Sequence, residues 1–407
     1  MDASKIINEV LTRSREALEV VRDYIHVTPV ERSATFSRMT SAKVFLKLEN
    51  LQKTGAFKVR GALHKIWRLK RRGVKGVVAA SAGNHAQGVA YASSIMGLKS
   101  IIVMPETASI SKIEATKNYG ASVVLYGRIY NDAELKALEI AKDLGYEFVH
   151  PFNDIDVIAG QATIAYEVLS QVKDFDVIIV QIGGGGLISG IATVVKKLRS
   201  NVKVVGVEPK NVPKTIEALR HGRPVTITPK PTIADGLATK ELGDITFKII
   251  SELVDEVITV EEDDIARAIY LLLERSKILS EGAGATGLAA LISGNIDVKG
   301  KNVVAIISGG NIDLNVIYRV LLRGLTSHSR IARIEGYIPD MPGELRRVLD
   351  VIAKCKGNVL EVQHDRTDIR APPWHAKVSI LIEIPNIEAL ENIMDELKRC
   401  GYRFSKV

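Results

Sequence analysis

Residues 177–195 read VIIVQIGGGGLISGIATVV and decide the class of fold. This stretch carries no charged side chain and approaches the length of a helix that spans a membrane. Its centre, however, contains four consecutive glycines, which would cost a helix about 4 kcal/mol relative to alanine. The stretch is therefore predicted to form a strand, a glycine loop and a helix, and not a membrane span.

The same order of strand, loop and helix recurs along the chain. Short β-branched runs alternate with longer helical patterns, and these runs are VFLKL, GVVAAS, SIIVMP, SVVLY, DVIIVQI, KVVGVEP, DEVITV and NVVAIIS. Such alternation predicts parallel α/β sheets with helices on both faces. Because eight strands exceed what one compact unit usually carries, we expect two lobes with a cleft between them. The small lobe comes from about residues 50–155 and the large lobe from the flanking segments.

A different pattern begins after residue 330. From Ile331 the predicted order is strand, helix, strand, strand, helix, strand, which is a ferredoxin-like module of about 75 residues. Asp340 and Pro342 predict the start of its first helix, as a capping side chain and a first-turn proline. We therefore expect two domains, residues 1–325 and residues 331–407.

The composition indicates a multi-domain globular protein of 407 residues. Its net charge of +8 is spread among 47 acidic residues, and only residues 65–75 form a dense basic run, interpreted as a solvated helix face. Nucleic acid is therefore not an expected partner. Two cysteines, Cys355 and Cys400, favour a reducing compartment. Since the N-terminal MDASKIINEV lacks the order of a signal peptide, we expect a cytoplasmic protein with no membrane partner.

Three glycine-bearing loops follow predicted strands and precede helices, at residues 81–84, 183–186 and 308–311. Backbone amides at the start of a helix bind anions, and glycine lets a phosphate come close, so each loop is a candidate phosphate or carboxylate site. A dinucleotide site is disfavoured because Ile188 and Ser189 stand where the third glycine of GxGxxG belongs. A Walker loop is disfavoured because no Gly-Lys-Ser/Thr is present. Taken singly, each loop is equally well interpreted as a tight turn.

The stretch TGAFKVRGA, residues 54–62, places a lysine on the apolar face of a predicted helix. Lys58 shares a helix face with Ala62, Ile66 and Leu69, where a buried ammonium would lose its hydration. Either its end reaches water, or the amine is kept neutral for chemistry. Together with loops for a phosphate and a carboxylate, the second interpretation predicts that Lys58 holds pyridoxal 5'-phosphate, an aldehyde cofactor, as a Schiff base.

Several motifs in a fixed order extend this interpretation, namely KTGAFKVRGA, ASAGNHAQGVA, GGGGLISG, TIADGLA, SEGAGA and SGGN. Over residues 28–311 the chain resembles the threonine/serine dehydratases among the pyridoxal-phosphate enzymes of fold type II, the tryptophan-synthase-β fold. The resemblance implies a two-lobed α/β catalytic unit. It also implies elimination of water from L-threonine or L-serine, with release of ammonia and of 2-oxobutyrate or pyruvate.

The resemblance further assigns the site residues. It implies that Lys58 forms the Schiff base and that Phe57 packs beside the cofactor ring. It also implies that Asn84 bonds the 3′-oxygen of the ring and that Ser308 lies at the ring nitrogen. The implied phosphate site is the backbone of Gly183, Gly184, Gly185, Gly186 and Leu187. The implied substrate-carboxylate site is Ser81, Asn84 and His85. For Glu281 and Asp235, a role in the site and local hydrogen bonding are equally good interpretations.

Three residues depart from patterns seen in this group of enzymes. Ala56 replaces a serine that many relatives have, which is a change between small residues. Ala82 replaces the serine that reprotonates the opposite face in serine racemases, which disfavours racemisation. Lys214 stands where the divalent site of racemases would place an acid after Glu208. No metal ligand is therefore assigned, and a monovalent cation held by carbonyls near Glu208 stays open.

Other functions on this fold stay open, namely serine racemase, cysteine synthase, threonine synthase and an inert amino-acid sensor. The asparagine loop AGNHAQG differs from the SGNTG or TGNTA of the two synthases. Retention of Lys58, Asn84 and Ser308 argues against an inert sensor. Nucleic-acid binding by the C-terminal module is disfavoured because its strands lack an aromatic-rich motif.

The C-terminal βαββαβ order and its DMPGEL turn resemble the ACT domain, which binds small amino acids. The resemblance implies a homo-oligomer, a dimer or a tetramer, in which these domains pair across a two-fold axis with effector sites near residues 342–345. Val378, Ile380 and Ile382 are expected to be exposed on the pairing surface. Isoleucine or valine would suit an enzyme of branched-chain synthesis, and a purely structural pairing role stays equally open.

Overall fold

A computed structural model describes residues 2–407. The strands are β1 (Val30–Ser33), β2 (Lys43–Leu48), β3 (Gly76–Ala80), β4 (Lys99–Met104), β5 (Ser122–Leu125), β6 (Glu147–Phe148), β7 (Val177–Gln181), β8 (Lys203–Pro209), β9 (Glu256–Val260), β10 (Asn302–Ile307), β11 (Ile331–Pro339), β12 (Asn358–Asp365), β13 (His375–Glu383) and β14 (Arg403–Lys406). All eight β-branched runs singled out in the sequence form strands.

The helices follow the strands along most of the chain. They are α1 (Ala3–Val21), α2 (Ala34–Thr40), α3 (Lys58–Arg71), α4 (Asn84–Met96), α5 (Ile110–Asn118), α6 (Tyr130–Leu144), α7 (Ile155–Gln161), α8 (Thr163–Gln171), α9 (Gly186–Leu198), α10 (Lys214–His221), α11 (Asp244–Leu253), α12 (Glu262–Leu271), α13 (Gly282–Ile292), α14 (Leu314–Ser327), α15 (Glu344–Lys354) and α16 (Ile387–Arg399). Within residues 2–407, none of these helices has the length and apolarity needed to cross a membrane.

The larger sheet has six strands in the order β1-β2-β10-β7-β8-β9. Strand β2, from the beginning of the chain, pairs in parallel with β10, which comes more than 250 residues later. All the pairs of this sheet are parallel except β1 with β2. The large lobe is therefore built from segments on both sides of the small lobe.

The smaller sheet has four parallel strands in the order β5-β4-β3-β6. Strand β3 is buried along its whole length, as the apolar run GVVAA predicts for the centre of a parallel sheet. Its core includes the apolar faces of α3 and α4, with Ile66 and Leu69 fully or almost fully buried. Both lobes belong to a compact unit that ends at Asp313.

The first turns of helix α3 bury two polar side chains, those of Arg60 and His64. Arg60 is fully buried and donates hydrogen bonds of 2.6–2.9 Å to the carboxylates of Glu49 and Glu167. His64 is also fully buried and donates from Nδ1 to the backbone carbonyl of Asp156. Both residues precede the basic run 65–75, and polar partners on other elements compensate for their lost hydration.

The second compact unit, Leu314–Val407, contains α14 and an antiparallel sheet in the order β12-β13-β11-β14. This order and the alternation of strands and helices give the predicted ferredoxin-like βαββαβ module. Helix α14 groups with this unit, although residues 1–325 were expected to form the first domain.

Two local expectations for the C-terminal module are wrong. Val378, Ile380 and Ile382 are fully buried in the core of the module, because they face the side of the sheet that the helices cover. Helix α15 begins at Glu344 after Gly343 with φ +95°, and no side chain caps it. The carboxylate of Asp340 instead accepts a 2.8 Å bond from Arg366.

Candidate active site

Backbone pairing across the large lobe places the start of α3 beside the loop that follows β10. The amide of Phe57 donates to the carbonyl of Ser308 at 3.0 Å, and the amide of Gly310 donates to the carbonyl of Gly55 at 2.8 Å. Ala56 and Gly309 form an isolated antiparallel bridge between these bonds. The segment that carries Lys58 and the SGGN loop are therefore held together as neighbouring strands would be.

Lys58 is the first residue of α3, and its side chain is half-buried. Its Nζ donates a 2.9 Å bond to the carbonyl of Pro151 and lies 5.4 Å from the centroid of the Phe57 ring. Burial lowers the pKa of Lys58 to about 8, although the negative charge of Glu281 opposes the shift. With that pKa, about one tenth of the amine is neutral at pH 7. The side chain can therefore act as a nucleophile and as a base.

Two carbonyls, one just before the loop 183–186 and one within it, accept hydrogen bonds from buried side chains. The carbonyl of Ile182 accepts from Lys214 at 3.0 Å, and the carbonyl of Gly184 accepts from the hydroxyl of Thr246 at 2.8 Å. Within a planar trans peptide the C=O and N–H groups point in opposite directions. The amides of Gly183 and Gly185 therefore point to the other side of the loop, where α9 also presents the free N–H groups of its first turn.

Phe152 and Thr246 require glycine in this loop. A Cβ on Gly184 would lie 2.2 Å from Cδ1 of Phe152, and a Cβ on Gly185 would lie 2.8 Å from Cβ of Thr246. Gly185 also has φ +94°, in the left-handed region that favours glycine. The glycines thus allow Phe152 and Thr246 to pack closely against the loop. They also leave no side chain beside the amides of Gly183 and Gly185.

Asn84, the first residue of α4, lies in a chain of hydrogen bonds. Its Nδ2 donates to Oε1 of Glu281 at 2.7 Å, and its Oδ1 accepts from Nδ2 of Asn311 at 2.7 Å. The same Nδ2 of Asn311 also donates to the carbonyl of Thr54 at 2.8 Å. These contacts fix the orientation of the Asn84 amide and leave its second N–H free to donate to a ligand.

Glu281 is buried, and its amide donates to the carbonyl of Gly309 at 3.0 Å. Burial raises the pKa of its carboxyl group to about 7, and the charge of Asp235 adds to the shift. Asp235 itself is largely exposed and pairs with Lys112 at 3.1 Å. Of the two acids with uncertain roles, only Glu281 contacts a predicted cofactor residue.

The loop 81–84 joins β3 to α4, and the hydroxyl of Ser81 accepts a 3.1 Å bond from the amide of Gly83. His85 is buried and donates from Nε2 to the carbonyl of Val149 at 2.9 Å. Burial, followed by the charge of Lys58, lowers the pKa of His85 to about 3, so its ring is neutral at pH 7. Any contribution of His85 to carboxylate binding therefore comes from its backbone amide.

Lys214 occupies the region near Glu208 that was considered for a cation. Its ammonium is fully buried and contacts Oε2 of Glu208 at 3.4 Å and the carbonyl of Leu237 at 3.3 Å, besides that of Ile182. Within residues 2–407, no group of three or more His, Cys, Asp or Glu side chains is arranged to hold a metal ion. The Lys214 ammonium thus contacts backbone carbonyls in the region that was considered for a monovalent cation.

Comparison with known proteins decides the family. A family model described as pyridoxal-phosphate dependent enzyme matches residues 21–309. The chain belongs to this family. The L-threonine ammonia-lyase of Thermotoga maritima is 46% identical over 389 residues, which cover 95% of this chain and 97% of that protein.

Two solved structures extend the comparison. The processed form of threonine deaminase isoform 2 from Solanum lycopersicum superimposes with a TM-score of 0.74 at 36% identity, over 77% of this chain and 92% of that one. Maize serine racemase superimposes with a TM-score of 0.73 at 36% identity, over 78% of this chain and 98% of that one. The matched length supports the fold type II assignment for this pyridoxal-phosphate-dependent enzyme.

The residues of this pyridoxal-phosphate-dependent enzyme fit its cofactor chemically. The amides of the loop 183–186 suit a phosphate, the amine of Lys58 suits an aldehyde, and the free N–H of Asn84 suits a phenolate oxygen. Ser308 is buried at the end of β10, next to the segment that carries Lys58. These four groups come from both lobes of the first compact unit.

Sequence reasoning missed three residues that lie around the candidate site. Pro151 offers the carbonyl that Lys58 contacts, Phe152 packs behind the glycine loop, and Asn311 orients Asn84. Only Asn311 had a signal, because it ends the loop 308–311. The segment HPFND around Pro151 follows β6, a strand of two residues that is too short to produce a recognisable pattern.

Proposed function

We propose that this chain is an L-threonine ammonia-lyase, which eliminates water from L-threonine and releases 2-oxobutyrate and ammonia. L-serine is the second substrate, with pyruvate as its product. The observation that carries the proposal is the amine of Lys58, whose pKa is lowered to about 8 at the start of α3 beside Ser308. The name of the Thermotoga maritima relative, which matches almost the whole chain, supports threonine as the substrate.

Bound pyridoxal phosphate supplies an electron sink for the electron pair that stays on Cα when the Cα–H bond of the amino acid breaks. The protein has four tasks around it. The loop amides from Gly183 to Leu187 hold the phosphate, Asn84 donates to the ring oxygen, and Phe57 packs beside the ring. Ser308 offers a hydroxyl at the ring nitrogen, which leaves that nitrogen largely unprotonated and favours elimination over transamination.

Lys58 has two roles in this proposal. It anchors the cofactor between turnovers, and its freed amine takes the Cα proton of the bound amino acid. The carboxylate of the substrate is held by Ser81, by Asn84 and by the amide of His85, at the start of α4. Because Ala82 has no hydroxyl to return a proton on the opposite face, elimination is favoured over racemisation, despite the likeness to maize serine racemase.

The test of the proposed function has two parts. The purified protein should be yellow, and borohydride should fix a pyridoxyl group on Lys58, as peptide mapping would show. L-threonine should then give 2-oxobutyrate, measured as its hydrazone. An adduct on another lysine would refute the site assignment. Turnover only with sulfide and O-acetylserine would refute the dehydratase function in favour of cysteine synthase.

We also propose that the C-terminal module is an ACT-like domain that pairs in a homo-oligomer, a dimer or a tetramer, and binds an amino-acid effector. The loop before α15, residues 340–343, supports this proposal because Gly343 opens the first turn of that helix to an anion. We place the enzyme in the cytoplasm, because Cys355 and Cys400 are both free thiols.

A further inference from the structure

The buried ammonium of Lys214 lies behind the glycine loop. Lys214 is the first residue of α10, and its side chain has no exposed surface. Its shortest polar contact is 3.0 Å to the carbonyl of Ile182, the residue immediately before the loop. A buried lysine loses its hydration, which costs several kcal/mol unless polar groups replace the water. Its position therefore calls for an explanation beyond helix packing.

The need to neutralise Glu208 does not by itself explain why the ammonium of Lys214 is buried here. The carboxylate of Glu208 already accepts bonds of 3.0–3.1 Å from the amides of Thr215 and Ile216 at the start of α10. The ammonium is 3.4 Å from this carboxylate and closer to the carbonyl of Ile182. The electrostatic partner of Lys214 is Glu208, but its shortest hydrogen bond goes to Ile182, immediately before the loop.

The contact with Ile182 sets the direction of one amide. The carbonyl of Ile182 and the N–H of Gly183 belong to the same planar peptide and point in opposite directions. Holding this carbonyl therefore aims the N–H of Gly183 toward the front of the loop. Lys214 also contacts the carbonyl of Leu237 at 3.3 Å, and the turn around Leu237 packs on Gly183, with the carbonyl of Gly236 3.1 Å from the position of a Cβ there.

We propose that Lys214 is a positioning residue whose ammonium acts as a built-in cation and aims the first amide of the glycine loop at the phosphate of the cofactor. A potassium ion, which backbone carbonyls can bind, takes the place of the ammonium when the side chain is shortened. The inference rests on the proposed assignment of the phosphate to this loop.

The test compares two variants by their affinity for pyridoxal phosphate, measured on the apo protein by equilibrium dialysis without substrate. Lys214→Ala leaves a space lined by carbonyls, whereas Lys214→Met fills the space without a charge. Losing a charge-assisted hydrogen bond should weaken cofactor binding about tenfold or more in both variants. Potassium chloride should restore most of the affinity of Lys214→Ala, relative to tetramethylammonium chloride at equal ionic strength, but not that of Lys214→Met. The phosphorus-31 resonance of the bound cofactor should move from its wild-type position in both variants. Potassium should return it toward that position in Lys214→Ala but not in Lys214→Met.

Lys47→Ala is the matched control. The ammonium of Lys47 is also fully buried and contacts the carbonyl of Thr28 at 2.6 Å and the carboxylate of Glu167 at 2.5 Å, outside the cofactor site. This variant should keep the cofactor affinity of the wild type and show no response to potassium. Circular dichroism checks that each variant is folded.

Two results would overturn the inference. One is wild-type cofactor affinity in both Lys214 variants. The other is full recovery in the double variant E208Q/K214M, since Lys214 would then only neutralise Glu208. If a Lys214 variant does not fold, the double variant alone decides, because weak binding in it supports positioning by Lys214. Absence of 2-oxobutyrate formation by the wild type would refute the proposed function and leave these affinity comparisons valid.

Discussion

The side-chain amide of Asn84 donates a 2.7 Å hydrogen bond to the carboxylate of Glu281, a residue 197 positions later in the chain. This bond joins the start of α4 in the small lobe to the residue before α13 in the large lobe. It also leaves the amide of Asn84 with one N–H for the cofactor. The protonation state of Glu281 therefore affects both the stability of the protein and the candidate site.

The first prediction concerns the pH dependence of stability. Burial raises the pKa of Glu281 to about 7 in the folded protein, from 4.5. The folded state then holds a proton that the unfolded state has lost, so the contribution of Glu281 to stability is fully present below pH 4.5 and is lost as the pH rises through about 7. The loss is on the order of 3 kcal/mol. Urea denaturation of the apo protein should show this fall, and Glu281→Gln should remove it.

The exposed residue Glu31 provides the control for this prediction. Glu31→Gln should leave the pH profile of stability unchanged. If Glu281→Gln retains the full decrease between pH 4.5 and pH 7, then the buried carboxyl of Glu281 is not its source.

The second prediction concerns Lys58. Lys58→Ala should lower kcat by about 10³-fold or more, because both the anchor and the base are lost, while circular dichroism stays unchanged. In the wild type, the rate at which the apo protein takes up pyridoxal phosphate should rise through pH 8, since the neutral amine reacts and the pKa is about 8. A rate that is flat between pH 7 and pH 9 would contradict the lowered pKa.

Much of the architecture follows from the sequence alone. The β-branched runs identified eight strands because a strand that is buried on both faces has a nearly continuous apolar sequence. Strand β6, with only Glu147 and Phe148, is too short to predict. The burial of Arg60 could not be predicted, because it depends on Glu167, which lies 107 positions away. The same limit applies to Asn84 and Glu281, since local patterns do not record which distant carboxylate reaches an amide.

The third prediction concerns the glycine loop. In Gly184→Ala the new Cβ would lie 2.2 Å from Phe152, so the loop must shift and cofactor affinity should fall by about tenfold or more. Gly287→Ala is the control, because its Cβ would meet nothing closer than 3.4 Å. Both affinities can be measured by fluorescence titration of the apo protein. Unchanged binding by Gly184→Ala would mean that the phosphate is bound elsewhere.

The fourth prediction concerns the choice between elimination and racemisation. Ala82 lies in the loop between β3 and α4 and offers no proton donor. Ala82→Ser supplies a hydroxyl there, and formation of D-serine from L-serine should rise from a trace to a measurable rate. Chiral chromatography of the reaction mixture measures it, with Ala82→Gly as the control that adds no hydroxyl. No gain in D-serine would show that another residue decides the face of protonation.

The fifth prediction concerns regulation by the C-terminal module. If residues 331–407 bind an amino-acid effector that weakens threonine binding, linkage requires threonine to weaken effector binding by the same factor. Calorimetry on the full chain with isoleucine, valine and other small amino acids should reveal this reciprocity. Because the first compact unit ends at Asp313 and the family match ends at residue 309, a chain that stops after Asp313 should keep turnover and lose the effector response. Unchanged kinetics in the shortened chain, with no amino acid bound by the full chain, would leave the module a purely structural role.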